Sequence, residues 1–303
     1  MKMTQVVLLL GVALYATPSS GQWNGREAII KEVEKTFGDP PGMTRLDPTS
    51  RVWADRKAGR VVVDGYIALR AGQLEMFACP VGTKEHESIV AVFSKAQVIH
   101  AGLLAIGAKV GSPVTWEPKY EPPTGSEIQV LVLWKDKEGN KKVVDARQWI
   151  HEMGTEADTL DTNFVFAGSS FWKDPETGKE HYQAESGDLI CVSNFSTATL
   201  DVPIESSKAN SGLLFATFTE RIPDRETPVR LVLQVINEKR TASLNTPAVL
   251  TEKSPTPLDE VKRPAIGPAA EKAANKAAQE PPTAKQSEAE QRRDAELKQL
   301  IRD

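Results

Sequence analysis

Between Glu127 and Lys135, the apolar residues Ile128, Val130, Val132 and Trp134 recur at every second position, the period of a β-strand that turns one face to a core. That period returns along most of the chain and limits the folds open to it. From Arg60 onward, Val61, Val63, Ile67 and Leu69 share a strand face. Residues 70–73 read as a turn, and Leu74, Met76 and Ala78 as the partner strand of a hairpin that ends at Cys79-Pro80. Residues 136–140 form a turn after Lys135, and Val143-Val144 begins the return strand. Further strands are expected over 89–93, 164–172, 213–219 and 229–236, with a strand pair over 181–193 broken near Gly187-Asp188. Residues 147–153 read as a short helix or an irregular crossing. A parallel βαβ fold would need a helix between successive strands. The expectation is therefore an α+β, sheet-rich, mostly antiparallel single domain with one buried central helix.

That helix is expected over 95–108, where Val98, Ile99, Ala101, Leu103, Leu104 and Ile106 leave it apolar on nearly all sides. Gly107, Gly111 and Pro113 end it. A second, short amphipathic helix is expected near the start. Asn24-Gly25-Arg26-Glu27 has capping-box spacing, Ile30, Val33 and Phe37 repeat at helical intervals, and residues 38–42 stop the run.

Lys2, the apolar run 6–16 and Ser19-Ser20-Gly21 together have the form of an export signal, with the mature chain beginning near Gln22. The run falls short of the roughly 20 residues that span a bilayer. The expected organisation is a signal peptide over 1–21, a short helical segment over 22–40, the main domain over 41–245 and a disordered tail over 246–303. The expected location is secreted or periplasmic, with no membrane span in the mature chain. The last aromatic residue is Phe218, and the Ala, Pro, Lys and Glu bias past Asn245 cannot bury enough apolar surface to offset ordering entropy. Ten acidic and ten basic residues balance in 251–303, so the tail is no polyion. A composition of 40% hydrophobic and 26% charged residues, with net charge −4, excludes a nucleic-acid binder of the usual basic kind.

Motifs for known chemistry are missing from the sequence. The segment Gly102 to Lys109 has the first glycine spacing of a P-loop but carries Ala108 where the lysine belongs. No Gly-x-Ser-x-Gly, His-Glu-x-x-His or Cys-x-x-Cys occurs. Two cysteines cannot supply the four thiolates of an iron–sulfur cluster. Candidate ligand-binding residues are Lys84, Glu85, His86, Glu87 and His100, with Cys79 close in sequence. Imidazole, thiolate and carboxylate suit zinc or copper, but this spacing matches no ligand signature. Metal and cofactor therefore stay unknown, and hydrogen bonding of the turn before the helix, with His100 as a satisfied core histidine, is the structural alternative. Cys79 and Cys191 could form a disulfide closing a loop of on the order of 110 residues, which would stabilise the fold by about 4 to 5 kcal/mol. Their apolar surroundings suit buried free thiols equally. The polar stretches 186–188 and 193–201 read as local turns.

The runs Val61-Val62-Val63-Asp64-Gly65, Leu74 to Cys79, Lys84 to Ser88, His100 to Gly107 and Asp188 to Phe195 resemble the YdjY-type domain of exported bacterial proteins. The resemblance covers roughly 41–236. It implies an exported domain and marks no residue as catalytic. The functional expectation is a non-enzymatic binding or structural module that takes an unknown protein or small ligand. The alternative is a metal- or thiol-dependent periplasmic enzyme using Cys79, His86 and His100.

Overall fold

The computed structural model describes residues 26–157, 159–206 and 212–236. The expected signal, the tail over 246–303 and Asn24 of the expected capping box lie outside these residues. Helix α1, Glu27–Phe37, opens the described chain, followed by the strands β1 (Thr44–Arg45), β2 (Val52–Asp55) and β3 (Arg60–Ile67). Next come β4 (Met76–Pro80), β5 (Ser88–Val92), helix α2 (Ala96–Ala105), β6 (Glu127–Lys135) and β7 (Lys141–Asp145). A 3-10 turn at Ala146–Trp149 leads to β8 (Ile150–Glu152), β9 (Phe164–Val165), β10 (Phe171–Lys173) and β11 (Glu180–Tyr182). The chain closes with β12 (Ile190–Cys191), β13 (Phe215–Thr217) and β14 (Pro228–Val235).

The fold is sheet-rich, as expected. A ten-stranded sheet runs β12-β4-β5-β3-β14-β6-β7, with β2 also on β3, β1 on β2, and β9 on β6. Its pairs are antiparallel except β4 with β5, which is parallel. The small pairs β10-β11 and β13-β8 stand outside it. Strand β14 lies between β3 and β6 with unbroken register on both sides, so Asp64, Arg230 and Leu133 form one row across three strands. β6 and its return strand β7 fall where the alternation places them.

The expected hairpin from β3 into β4 does not form. β5 sits between them, antiparallel to β3 and parallel to β4. All five β5 residues are buried, so it takes an interior place in the sheet. The 70–73 segment pairs instead with the β13 strand, through Gly72 to Thr217 and an isolated bridge from Gln73 to Ala216. Gly65 permits this order, because a Cβ there would lie 2.2 Å from the Ala91 carbonyl oxygen on β5.

The sheet is covered on both faces, which explains why residues between the periodic positions are also apolar. On one face Val61, Val63, Val130, Val132, Leu231 and Leu233 join the main core with Ile99 and Leu103 of α2. Helix α2 buries this one side and leaves Leu104 47% exposed, so its all-round apolar character does not translate into all-round burial. On the other face Trp53, Val62, Leu131 and Val232 form a second cluster, and Val33 of α1 packs in a third with Tyr66, Cys79 and Phe93. The helix begins at Glu27 with Arg26 as N-cap and no side-chain bond from that cap.

Asp64 fixes α1 to this face. It is fully buried and accepts from Arg51 Nη2 at 2.6 Å and from Arg230 Nε at 2.6 Å. Both guanidinium groups also donate to the Gly38 carbonyl, at the end of α1, and Arg230 stacks over Phe37. Glu34 reaches Arg51 from the solvent side at 3.4 Å. Removing one member of a buried ionic group strands the others, at a cost of about 3 to 5 kcal/mol. Asp64→Asn is therefore expected to lower the free energy of unfolding by that amount in urea titrations. Faster amide exchange in α1 than in β14 should accompany it; a loss below 1 kcal/mol would contradict this role.

Candidate functional site

Strands β4 and β5 are parallel neighbours joined by residues 81–87 alone, far fewer than the dozen or more a parallel connection usually takes. Met76 pairs with Ser88, so the loop must run back the whole length of β4. Its polar side chains are thereby spread over two sides of the sheet edge.

Lys84 turns inward. Its Nζ lies 3.0 Å from Asp188, 3.4 Å from Glu75 and 3.5 Å from Glu87, and 4.6 Å from the centre of the Phe195 ring. Its stem packs on Gly187, where a Cβ would come within 2.5 Å of Lys84 Cγ and where φ is +136°. Glycine is thus needed there twice over. Burial opposes the Lys84 charge, but Asp188, then Glu87 and Glu75, hold its pKa above the ordinary value. Burial, with the Glu87 charge added, pushes the Glu75 carboxyl up. Thr197 Oγ1 donates to Asp188, and Asn194 Nδ2 donates to Asp201 at 3.2 Å. Asp201 is fully buried, its Oδ2 has no hydrogen-bond partner, and burial raises its pKa well above the carboxylate range. The polar stretches 186–188 and 193–201, expected to make local turns, therefore also supply Asp188, which meets Lys84, and Thr197, which bonds Asp188.

Glu85 turns the other way. It accepts from Arg26 Nη2 at 2.8 Å and from the Gly82 amide at 2.7 Å. His86 projects outward, its side chain 77% exposed, with Nε2 3.7 Å from Glu87. Arg26, Gly82, Thr83, Glu85, His86 and Arg225 line a cavity of about 500 Å³. A second cavity of about 300 Å³ shares Arg26 and adds Ile29, Glu32, Tyr66 and Glu226. Tyr66 is 4% exposed, with the Glu85 carboxylate beside its hydroxyl. Burial, then the nearby Glu85 charge, makes the phenol harder to ionise. Glu226 adopts φ 65°, a left-handed conformation rare outside glycine.

His100 belongs to neither group. It sits on α2, with Nδ1 2.9 Å from Tyr182 Oη and its ring edge-on to Phe166 and Tyr182. Tyr182 Oη in turn donates to the Gly168 carbonyl at 3.1 Å, and burial lowers the His100 pKa. Cys79 and Cys191 are buried free thiols in separate clusters, Cys79 with Tyr66 and Phe93, Cys191 with Met76 and Ala198. Of the two arrangements open to them in sequence, a bridge or two buried thiols, the structure has the second, with β4 and β12 presenting the cysteines to different packing environments. Burial pushes the Cys79 thiol up to about 11, against hydrogen bonds from Ser88 and Thr83, and raises Cys191 well above its ordinary value. The five candidate residues thus divide among an inner charge cluster, an outer groove and a separate aromatic contact. Among the described residues, no group of three or more His, Cys, Asp or Glu side chains could hold a metal ion. Arg26, Tyr66, Arg225, Glu75 and Asp201 were not anticipated as site residues. Only Asp201 carried a signal, its place in a polar stretch.

Two measurements check this arrangement. A carboxyl whose pKa is raised on folding binds its proton more tightly in the folded state, so its contribution is fully present below about pH 4 and is lost as pH rises toward the folded value. Asp201→Asn removes that loss, and its stability relative to the wild type should therefore grow between pH 4 and pH 8 in urea midpoints; a constant difference would contradict the buried, raised Asp201. Thiol labelling should modify neither cysteine in the native protein and both after denaturation without reductant.

Comparison with known proteins returns one family, the YdjY domain, over residues 52–234. No curated protein matches, and no solved structure does. The matched span runs from β2 to β14 and takes in the Lys84 cluster, the Glu85 side of the groove and both cysteines. The chain belongs to the YdjY domain family.

Proposed function

We propose that the chain is an exported, non-enzymatic binding module whose small ligand or partner group sits in the groove between the start of α1, the 81–87 crossover and the 224–226 turn. The observation that carries this reading is the mixed charge of two cavities that share Arg26, one lined also by Glu32 and Glu226 and the other by Glu85 and Arg225. Charges of both signs in a recess suit a ligand that carries both donors and acceptors. The left-handed Glu226 is further support, since such strain gathers at binding sites.

A thiol-dependent enzyme needs a partly exposed cysteine in an electropositive setting. Cys79 is buried with its thiol raised to about 11, and His100 bonds Tyr182 rather than a sulfur, so neither supports that alternative. In this proposal 1–21 directs export, 41–245 forms one domain with α2 as its central helix, and 246–303 follows as a tail.

Native mass spectrometry of protein recovered from the exported fraction tests the groove. A bound species carried by the wild type and lost in Arg26→Ala and Arg225→Ala supports it. No bound species on the wild type, or one that both variants retain, overturns it.

A further inference from the structure

The hairpin of β10 and β11 stands apart from the ten-stranded sheet. Its register pairs Phe171 with Tyr182, Trp172 with His181 and Lys173 with Glu180, so alternation places Trp172 and His181 together on one face and Phe171 with Tyr182 on the other. The Tyr182 face holds the hairpin to the body. Tyr182 is 4% exposed, the Phe171 ring centre lies 5.1 Å from its own, and its hydroxyl bonds with His100, Thr199 and the Gly168 carbonyl. The opposite face is open to solvent. Trp172 is 50% exposed, and its ring meets that of His181, also exposed, at 5.8 Å and 38°.

Polar residues extend that face in both directions. The Gln183 amide donates to the Ser170 carbonyl and the Asp174 amide to the Lys179 carbonyl, so Ser170 and Gln183 flank the aromatic pair on one side and Asp174 and Lys179 on the other. The tip is fixed, since Asp174 accepts from the Glu176 and Thr177 amides and from the Thr177 hydroxyl. A cross-strand aromatic pair strengthens a hairpin by itself, but that purpose does not need half of an indole left in water. Charge decides what fits the exposed half. Residues 170–183 carry Lys173 and Lys179 against Asp174, Glu176 and Glu180, a near balance that selects neither anion nor cation. One indole with an imidazole beside it is an open platform, not the aromatic cage that holds a quaternary ammonium.

We propose that this face binds a neutral β-linked glucan, one sugar ring stacking its C–H face on the Trp172 indole and its hydroxyls meeting His181, Gln183 and Lys179. Every substituent of a β-linked glucose ring is equatorial, so its faces present only C–H bonds and its hydroxyls lie round the rim. That shape and polarity match a flat indole edged by polar side chains, and its neutrality matches the balanced charge of the hairpin. The face shares no residue with the groove at Arg26 and stands independently of it.

The test is an NMR titration of the isotope-labelled full chain with cellohexaose. The Trp172 indole N–H, identified as the signal missing from Trp172→Leu, and the backbone amides of 170–183 should shift saturably. Sorbitol, which has the hydroxyls but no ring, should leave them in place, a comparison that depends on no variant. Trp172→Leu keeps apolar bulk on an exposed position without a flat ring and should weaken binding, read at those amides, about tenfold. Trp172→Phe restores a flat ring and should stay closer to the wild type than to Trp172→Leu. Added salt should not change the affinity, because neither side of the contact carries net charge to be screened. Arg26→Ala should bind cellohexaose as the wild type does, which separates failure of the groove from failure of the hairpin. No saturable shift at 170–183, equal shifts with sorbitol, wild-type affinity in Trp172→Leu, or binding that falls as salt is raised would each overturn the proposal.

Discussion

Asp64 sits with no exposure in the middle of an apolar sheet face, where an ionised carboxylate is tolerated only because two guanidinium groups meet it. The arrangement joins distant parts of the chain. Arg51 comes from the turn before β2, Arg230 from β14, and the Gly38 carbonyl they share from the end of α1. Arg51 and Arg230 also lie over the Trp53 ring, at 5.1 and 5.5 Å from its centre, so the charged layer is capped by aromatic surface. The start of α1, which carries Arg26 to Glu85, and its end, which presents the Gly38 carbonyl, both depend on where the group holds the helix.

The second organising constraint is the parallel pair β4-β5 with its short return loop. A loop that must retrace its own strand has little freedom, and residues 84 and 85 are committed to opposite sides of it. Lys84 then meets Glu75, Glu87 and Asp188 together, and the excess negative charge is eased by the raised affinity of Glu75 for its proton. The inner cluster therefore secures the loop, and the outer side chains Glu85 and His86 are left facing the groove. Stability and the proposed binding role arise from the same seven residues.

Burial of both thiols changes what the cysteines mean. An even pair of cysteines leaves a bridge open, yet separate strands carry these two into unlike clusters, where apolar contact and not covalent linkage accounts for them. His100, whose residue type suggested a ligand, instead closes a chain of hydrogen bonds through Tyr182 to Gly168 and Thr199.

Hydrophobic period alone determined much of the secondary structure: β6, its turn and β7, the β14 strand, the end of α2 before Gly107, and the sheet-rich class all follow from it. Period records which side of a strand is buried. It carries no information about which strand lies alongside, so β5 between β3 and β4, and the parallel pairing that follows, were decided by tertiary packing. The site divides in the same way. Lys84 to Glu87 stand out in sequence because polar residues there interrupt an apolar stretch. Arg26, Tyr66 and Arg225 stand out nowhere, since each is an ordinary residue of its own segment and gains meaning only where α1, β3 and the turn before β14 meet. The row of Asp64, Arg230 and Leu133 is another such product, because alternation puts each on a strand face but only the folded register sets Arg230 between the other two.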